Sequence, residues 1–155
     1  MAITAIIGVG TAGCKIVSML DDAAEYDAFL INEHNIQTEC LKNYKEFIIV
    51  APFGGLTGTI LAIDLIKKLH KNIFAKKVLI TSLPLTFERE SKQILAKEYI
   101  QKAKKYCQVF VVSDMNLTNK RNAPIKDLFS TMDTRFINQI ETKLKTFAIQ
   151  EQIAM

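Results

Sequence analysis

Apolar residues come in short unbroken runs along this chain, separated by stretches where they recur every three or four positions. Five runs read as strands: Ile3 to Ile7, Ala28 to Ile31, Phe47 to Val50, Lys77 to Thr81 and Val109 to Val112. Most are apolar throughout, as expected of strands covered on both faces in a parallel sheet. Between them the period lengthens. Gly13 to Leu20 predicts a short helix, and Thr57 to Lys71 one that is apolar over most of its circumference. Glu88 to Tyr106 predicts a helix with Ile94, Leu95, Tyr99 and Ile100 inward and lysines outward. From about Pro124 onward, Ile125, Leu128, Phe129, Met132, Phe136, Ile140, Leu144 and Phe147 follow at spacings of three and four, one long amphipathic helix. Pro124 suits its first turn. Strands alternating with helices in a single 155-residue domain predict an α/β fold: a doubly wound, mostly parallel sheet of about five strands.

Composition then removes whole function classes. At 49% apolar and 23% charged residues the chain is neither disordered nor low-complexity. Its net charge of +4 is small and scattered along the sequence, so no nucleic-acid partner is expected. No apolar run approaches the roughly 20 residues of a membrane span, and the start lacks the basic region of a signal peptide. Cys14, Cys40 and Cys107 show no CxxC spacing, and His34 and His70 have no partner at ligand distance. Neither a disulfide framework nor a metal site is predicted. A reduced, cytoplasmic protein is the expectation.

The candidate chemistry lies in the glycines. The chain has six, Gly8, Gly10, Gly13, Gly54, Gly55 and Gly58, and all fall in two segments, each following a predicted strand and opening a helix. Ligands of doubly wound sheets bind outside the carboxyl ends of the strands, and bare backbone at a helix N-terminus is suited to phosphate. Two such loops on one sheet edge can grip a polyphosphate from two sides. Tight strand-to-helix turns with nothing bound would also use glycine. A Rossmann-type NAD module would use Gly8-Val9-Gly10-Thr11-Ala12-Gly13 for pyrophosphate and Glu33, about 20 residues on, for ribose. That reading leaves the second loop unexplained.

The second loop, FGGLTGT (53–59), resembles the signature loop GGGTGTG of the tubulin/FtsZ family. Five further segments resemble the family in the same order: IIGVGTAGCKIV, FLINEHNIQ, VLITSLPLTFERESK, VFVVSDMNL and DLFSTMDTRFINQIETKL. The resemblance implies the family's nucleotide-binding domain, GTP or GDP as ligand with Mg as a possible companion, and a prokaryotic protein connected with cell division. It places phosphates against Gly8, Gly10, Thr11, Ala12, Gly13 and Cys14, and against Gly54, Gly55, Leu56, Thr57, Gly58 and Thr59. Thr57 is equally suited to capping the helix. Asn32 matches the asparagine near nucleotide and magnesium. Glu88 matches the residue that binds ribose hydroxyls, with Lys92 where the family has arginine; the two also fit a surface i,i+4 ion pair. Phe129 falls where an aromatic packs on guanine, and also on the core stripe. Asp133 falls where the family reads the base, and a carboxylate can accept from guanine's ring N–H and amine.

Departures from the pattern shape the expected function. Leu56 and Ile60 stand where the family has glycine, His34 where it has aspartate, and Lys15 where it has asparagine. Asp114 and Met115 replace an Asn-Asp pair, and only about a dozen residues separate His34 from Phe47, where the family has a γ-phosphate-sensing loop and a helix. The resemblance covers the family's nucleotide-binding half and stops in the central helix. It therefore implies a protein without the second domain and its activating acidic loop. Such a protein would be a non-polymerising regulatory or interaction protein with no catalytic residue and negligible GTPase activity. A full-length FtsZ-like protein is the implied partner. A scaffold that binds protein without nucleotide is the alternative. Ile137, Leu144, Phe147, Ile149 and Ile153 on the last helix suggest a homodimer through its apolar face.

Overall fold

The chain runs through β1 (Thr4–Val9), α1 (Gly10–Ser18), β2 (Asp27–Ile31), β3 (Glu46–Val50), α2 (Leu56–Leu69), β4 (Lys76–Ser82), α3 (Glu90–Ala103), β5 (Gln108–Val112) and α4 (Ile125–Ala154). The structure is a computed structural model that describes residues 4–20, 26–32, 41, 43–53, 56–70, 75–83, 90–112 and 125–154, with backbone alone at 56, 57, 125–131 and 148–154. Each strand inferred from an apolar run is present, shifted by a residue or two at its ends, as are the four helices.

The five strands form one parallel sheet in the order β2-β1-β3-β4-β5. After β2, on one side of β1, the chain crosses to β3 on the other. The sheet's topological switch point therefore lies between β1 and β3, where ligands of such folds bind.

Alternate strand residues explain why the middles of β1, β3 and β4 are apolar on both faces. Ile7, Ile49 and Leu79 face a cluster completed by Ala62, Ile63, Leu65, Ile66 and Leu69 of α2 and Ala96, Ile100 and Ala103 of α3. Ile6, Ile48, Val78 and Ile80 face the opposite way, toward Ile16 and Val17 of α1 and Met132, Phe136, Ile140 and Phe147 of α4. Two helices thus cover each face. The edge strands are less covered: Leu30 on β2 is 45% exposed, and on β5 Phe110 and Val111 are also exposed. The Lys143 ammonium lies 5.5 Å from the centroid of the Phe110 ring, a cation–π contact over that edge.

Two features could not be placed from sequence alone. Phe147 is buried in the core of its own domain, and Ile137 and Leu144 pack partly buried against the same cluster. Ile149 and Ile153 lie where side chains are not described. The lysines, scattered in sequence, partly gather in space. Lys67 and Lys68 end α2, Lys102 lies in the last turn of α3 with Lys104 and Lys105 just beyond, and Lys76 begins β4. Cations at helix C-termini are favourably placed. These six sit at the sheet edge where the strands begin; removing them from a net charge of +4 leaves −2 for the rest.

Candidate functional site

The site is built at the carboxyl ends of β1 and β3. β1 passes straight into α1: Val9 ends the strand and Gly10 begins the helix. Gly10 makes the turn at φ +76, a conformation that glycine adopts without penalty. No side chain caps the helix at Val9, and its first turn holds no acidic residue. The first-turn N–H groups therefore remain for an outside acceptor at the positive end of the helix dipole. Thr11 and Ala12 are exposed there.

Gly8 and Gly13 serve packing. A Cβ on Gly13 would lie 2.3 Å from the carbonyl oxygen of Val50, and one on Gly8 would lie 2.6 Å from that of Gly13. Their bareness lets α1 settle onto the ends of β1 and β3. The thiol of Cys14 turns inward, donating to the carbonyls of Gly8 (3.4 Å) and Ile31 (3.6 Å). Burial pushes its pKa up, against a smaller opposing effect from the Ile31 backbone hydrogen bond. What Cys14 turns to the fold is its side chain, and as the fifth residue of α1 its N–H is engaged within the helix.

The second loop is held by continuing the sheet past Val50. The Ala51 N–H donates to Ile80 at 3.1 Å and the Phe53 N–H to Ser82 at 3.0 Å. The buried Thr81 hydroxyl donates to the Ala51 carbonyl at 2.7 Å, and Phe53 is in the core. α2 opens at Leu56 and Thr57, whose side chains are not described. Gly54 and Gly55 lie outside the described residues. Gly58 faces Gly10. A Cβ on Gly10 would meet the Gly58 Cα at 3.2 Å, whereas one on Gly58 would stand 3.8 Å from the Gly10 Cα, an ordinary contact. The two glycine segments therefore meet backbone to backbone across the crevice. Thr59 is buried and Ile60 exposed.

Around this centre, register pairs Val9 with Ile31, so the exposed Asn32 stands beside Gly10 at the same sheet edge. Lys92 is exposed in the first turn of α3, while Glu88 lies outside the described residues. Asp133, on α4, is paired with Lys15 of α1 at 3.3 Å; the aspartate side chain is 15% exposed and the lysine 66%. Phe129 is one turn earlier on α4, its side chain not described. The structure thus brings Gly10, Thr11, Ala12, Asn32 and Gly58 to one edge. It also joins two residues that the sequence reading treated separately, Lys15 as a departure and Asp133 as a base reader. Their opposite charges were the only sequence signal for that pairing.

No family model and no curated protein matches the sequence. Among solved structures, the fold is similar to that of the W319Y mutant of FtsZ from M. jannaschii, with a TM-score of 0.81 at 18% identity over 93% of this chain and 56% of that one. It is also similar to CetZ from Methanosaeta thermophila, with a TM-score of 0.72 at 16% identity over 94% of this chain and 54% of that one. The chain therefore has the tubulin/FtsZ fold and spans about half the length of the structures it matches.

Proposed function

We propose that this chain binds a guanine nucleotide, GTP or GDP, at the switch point between β1 and β3. The observation that carries the reading is the meeting of Gly10 and Gly58. Packing accounts for glycine at 8 and 13, and backbone conformation accounts for it at 10. Neither accounts for Gly58, where a methyl group would enter the gap between the loops without striking any of the described residues. A position that stays bare where the protein has room for a side chain fits a backbone kept clear for a ligand.

In this reading the uncapped first turn of α1 and the first turn of α2 hold the phosphates. Magnesium would arrive with them, bound mainly through phosphate oxygens as that ion prefers, with Asn32 at the same edge. Glu88 and Lys92 take the ribose side on the strength of the sequence resemblance, and Phe129 the base. Asp133 supplies the preference for guanine, because its carboxylate can accept from N1–H and the 2-amino group, which adenine does not offer. The shared fold suggests a binding or regulatory role toward a longer FtsZ-like chain.

Calorimetry with GTP, GDP, ATP and NAD tests the reading. Guanine nucleotides are expected to bind in preference to ATP, with Asp133→Ala removing roughly 1.5–3 kcal/mol of that preference. The short segment between His34 and Phe47 leaves little to sense a γ-phosphate, so GTP and GDP should bind within about tenfold of each other, or 1.4 kcal/mol. Binding of NAD instead, or of no nucleotide, overturns the proposal.

A further inference from the structure

We infer that Lys15 is a specificity-determining residue of the base site, acting with Asp133 as a donor–acceptor pair that reads the 6-oxo, 1-NH edge of guanine. The inference rests on the nucleotide-binding reading above and adds a residue for which the sequence resemblance offers no role. Its starting point is geometry. Lys15 and Asp133 come from different helices, α1 and α4, and meet at 3.3 Å. The pair is lopsided in exposure, with a largely covered carboxylate and an open ammonium. Lys15 is five residues past Gly10 on the same helix, a rise of about 7.5 Å from the phosphate end, a span that a bound nucleotide covers.

The chemistry of the pair is directional. An ammonium only donates and an ionised carboxylate only accepts. Side by side, they present a donor next to an acceptor, the order that cytosine offers guanine in a base pair. Guanine answers with the O6 acceptor next to the N1–H and 2-amino donors. Adenine presents the reverse, a 6-amino donor next to an N1 acceptor, so both contacts turn unfavourable. Two mismatched groups discriminate more strongly than one, because a partner left unsatisfied in a covered site adds its own penalty. In the absence of nucleotide the two side chains satisfy each other, which spares Asp133 an uncompensated charge.

The test compares GTP and ATP affinities of the whole chain and of Lys15→Met and Lys15→Arg. The wild-type protein should favour GTP. Lys15→Met should lower the GTP/ATP affinity ratio by about tenfold or more, the scale of one hydrogen bond to a charged group, through weaker GTP binding with ATP unchanged or improved. Lys15→Arg, which keeps a donor, should retain most of the ratio. If Lys15→Met weakens GTP and ATP equally, or changes neither, the lysine only ties α1 to α4 and the inference is overturned while the nucleotide reading stands. If the wild-type protein binds GTP and ATP alike, the pair does not read the base. If it binds neither, the reading beneath it has failed as well. A urea titration of each variant separates a loss of fold from a loss of specificity.

Discussion

Replacing Gly58 by alanine separates what the fold needs from what a ligand needs. Gly58 is the third residue of α2, and its φ is not positive. The added Cβ would stand 3.8 Å from the Gly10 Cα, an ordinary van der Waals distance, so among the described residues no backbone has to move. Glycine in a helix is less favourable than alanine by roughly 0.5–1 kcal/mol, because it surrenders more chain entropy on folding. Gly58→Ala should therefore stabilise the ligand-free protein by about that amount, raising Tm by about 1–4 °C for a chain of this size. The same methyl group enters the gap between the two loops and should weaken nucleotide binding by tenfold or more, about 1.4 kcal/mol. Gly13→Ala is the contrast. Its Cβ would lie 2.3 Å from the backbone oxygen of Val50, which cannot swing aside, and overpacking of that kind costs roughly 1–3 kcal/mol or more. Urea denaturation without ligand, together with titration of a fluorescent GDP analogue, reads both quantities. The reasoning is refuted if Gly58→Ala destabilises the apo protein by more than about 1 kcal/mol, since glycine would then be a requirement of the fold. It is equally refuted if the variant binds nucleotide as tightly as wild type.

Three further perturbations probe the frame around the site. Burial pushes the Cys107 thiol up to about 11 from an ordinary 9.0, the nearby Lys77 charge opposing the shift. A folded-state pKa raised above the unfolded one gives stability that is whole below pH 9 and is lost as pH rises toward 11. The wild type should therefore lose on the order of 2 kcal/mol more than Cys107→Ala across that window; Lys77, whose pKa is lowered chiefly by burial, is common to both proteins. Parallel pH–stability curves for the two would refute it. Phe147→Ala should destabilise by about 3–5 kcal/mol if the late part of α4 is docked in the core as described, and a change below about 1 kcal/mol in chemical denaturation would mean that it is not. At the opposite sheet edge the buried Thr4 hydroxyl donates to the buried Glu46 carboxylate at 2.6 Å. Thr4→Val should cost about 1.5–3 kcal/mol in the same assay, the scale of a hydrogen bond to a charged group, and an unchanged midpoint would show that Glu46 does not depend on it.

Much of this architecture was legible in the residues themselves. Runs such as Phe47 to Val50 and Val78 to Ile80, the apolar centre of Lys77 to Thr81, are apolar at every other position and at the positions between. Only a strand covered on both faces satisfies that, so a parallel sheet with helices on each side followed from the chain alone. The same pattern read less well at the edges. Leu30, Phe110 and Val111 belong to equally apolar runs, but β2 and β5 have a neighbour on one side only, and nothing in a run of side chains says which strands will be outermost. The gathering of all six glycines into two predicted strand-to-helix junctions likewise pointed to the candidate site from sequence, since each glycine is placed by its local context.

What the four described glycines do in the fold was decided by tertiary structure. Gly13 is bare because Val50, from a strand 37 positions on, brings a carbonyl against it, and Gly10 and Gly58 matter to each other although 48 positions separate them. The pairing of Lys15 with Asp133, the inward turn of the Cys14 thiol and the docking of Phe147 on its own sheet have the same origin. Periodicity is a property of neighbours along the chain, and it fixes which face of an element is apolar. Which element that face meets, and which distant atom stands opposite a given residue, depends on strand order and crossover direction, and those exist only once the sheet has assembled.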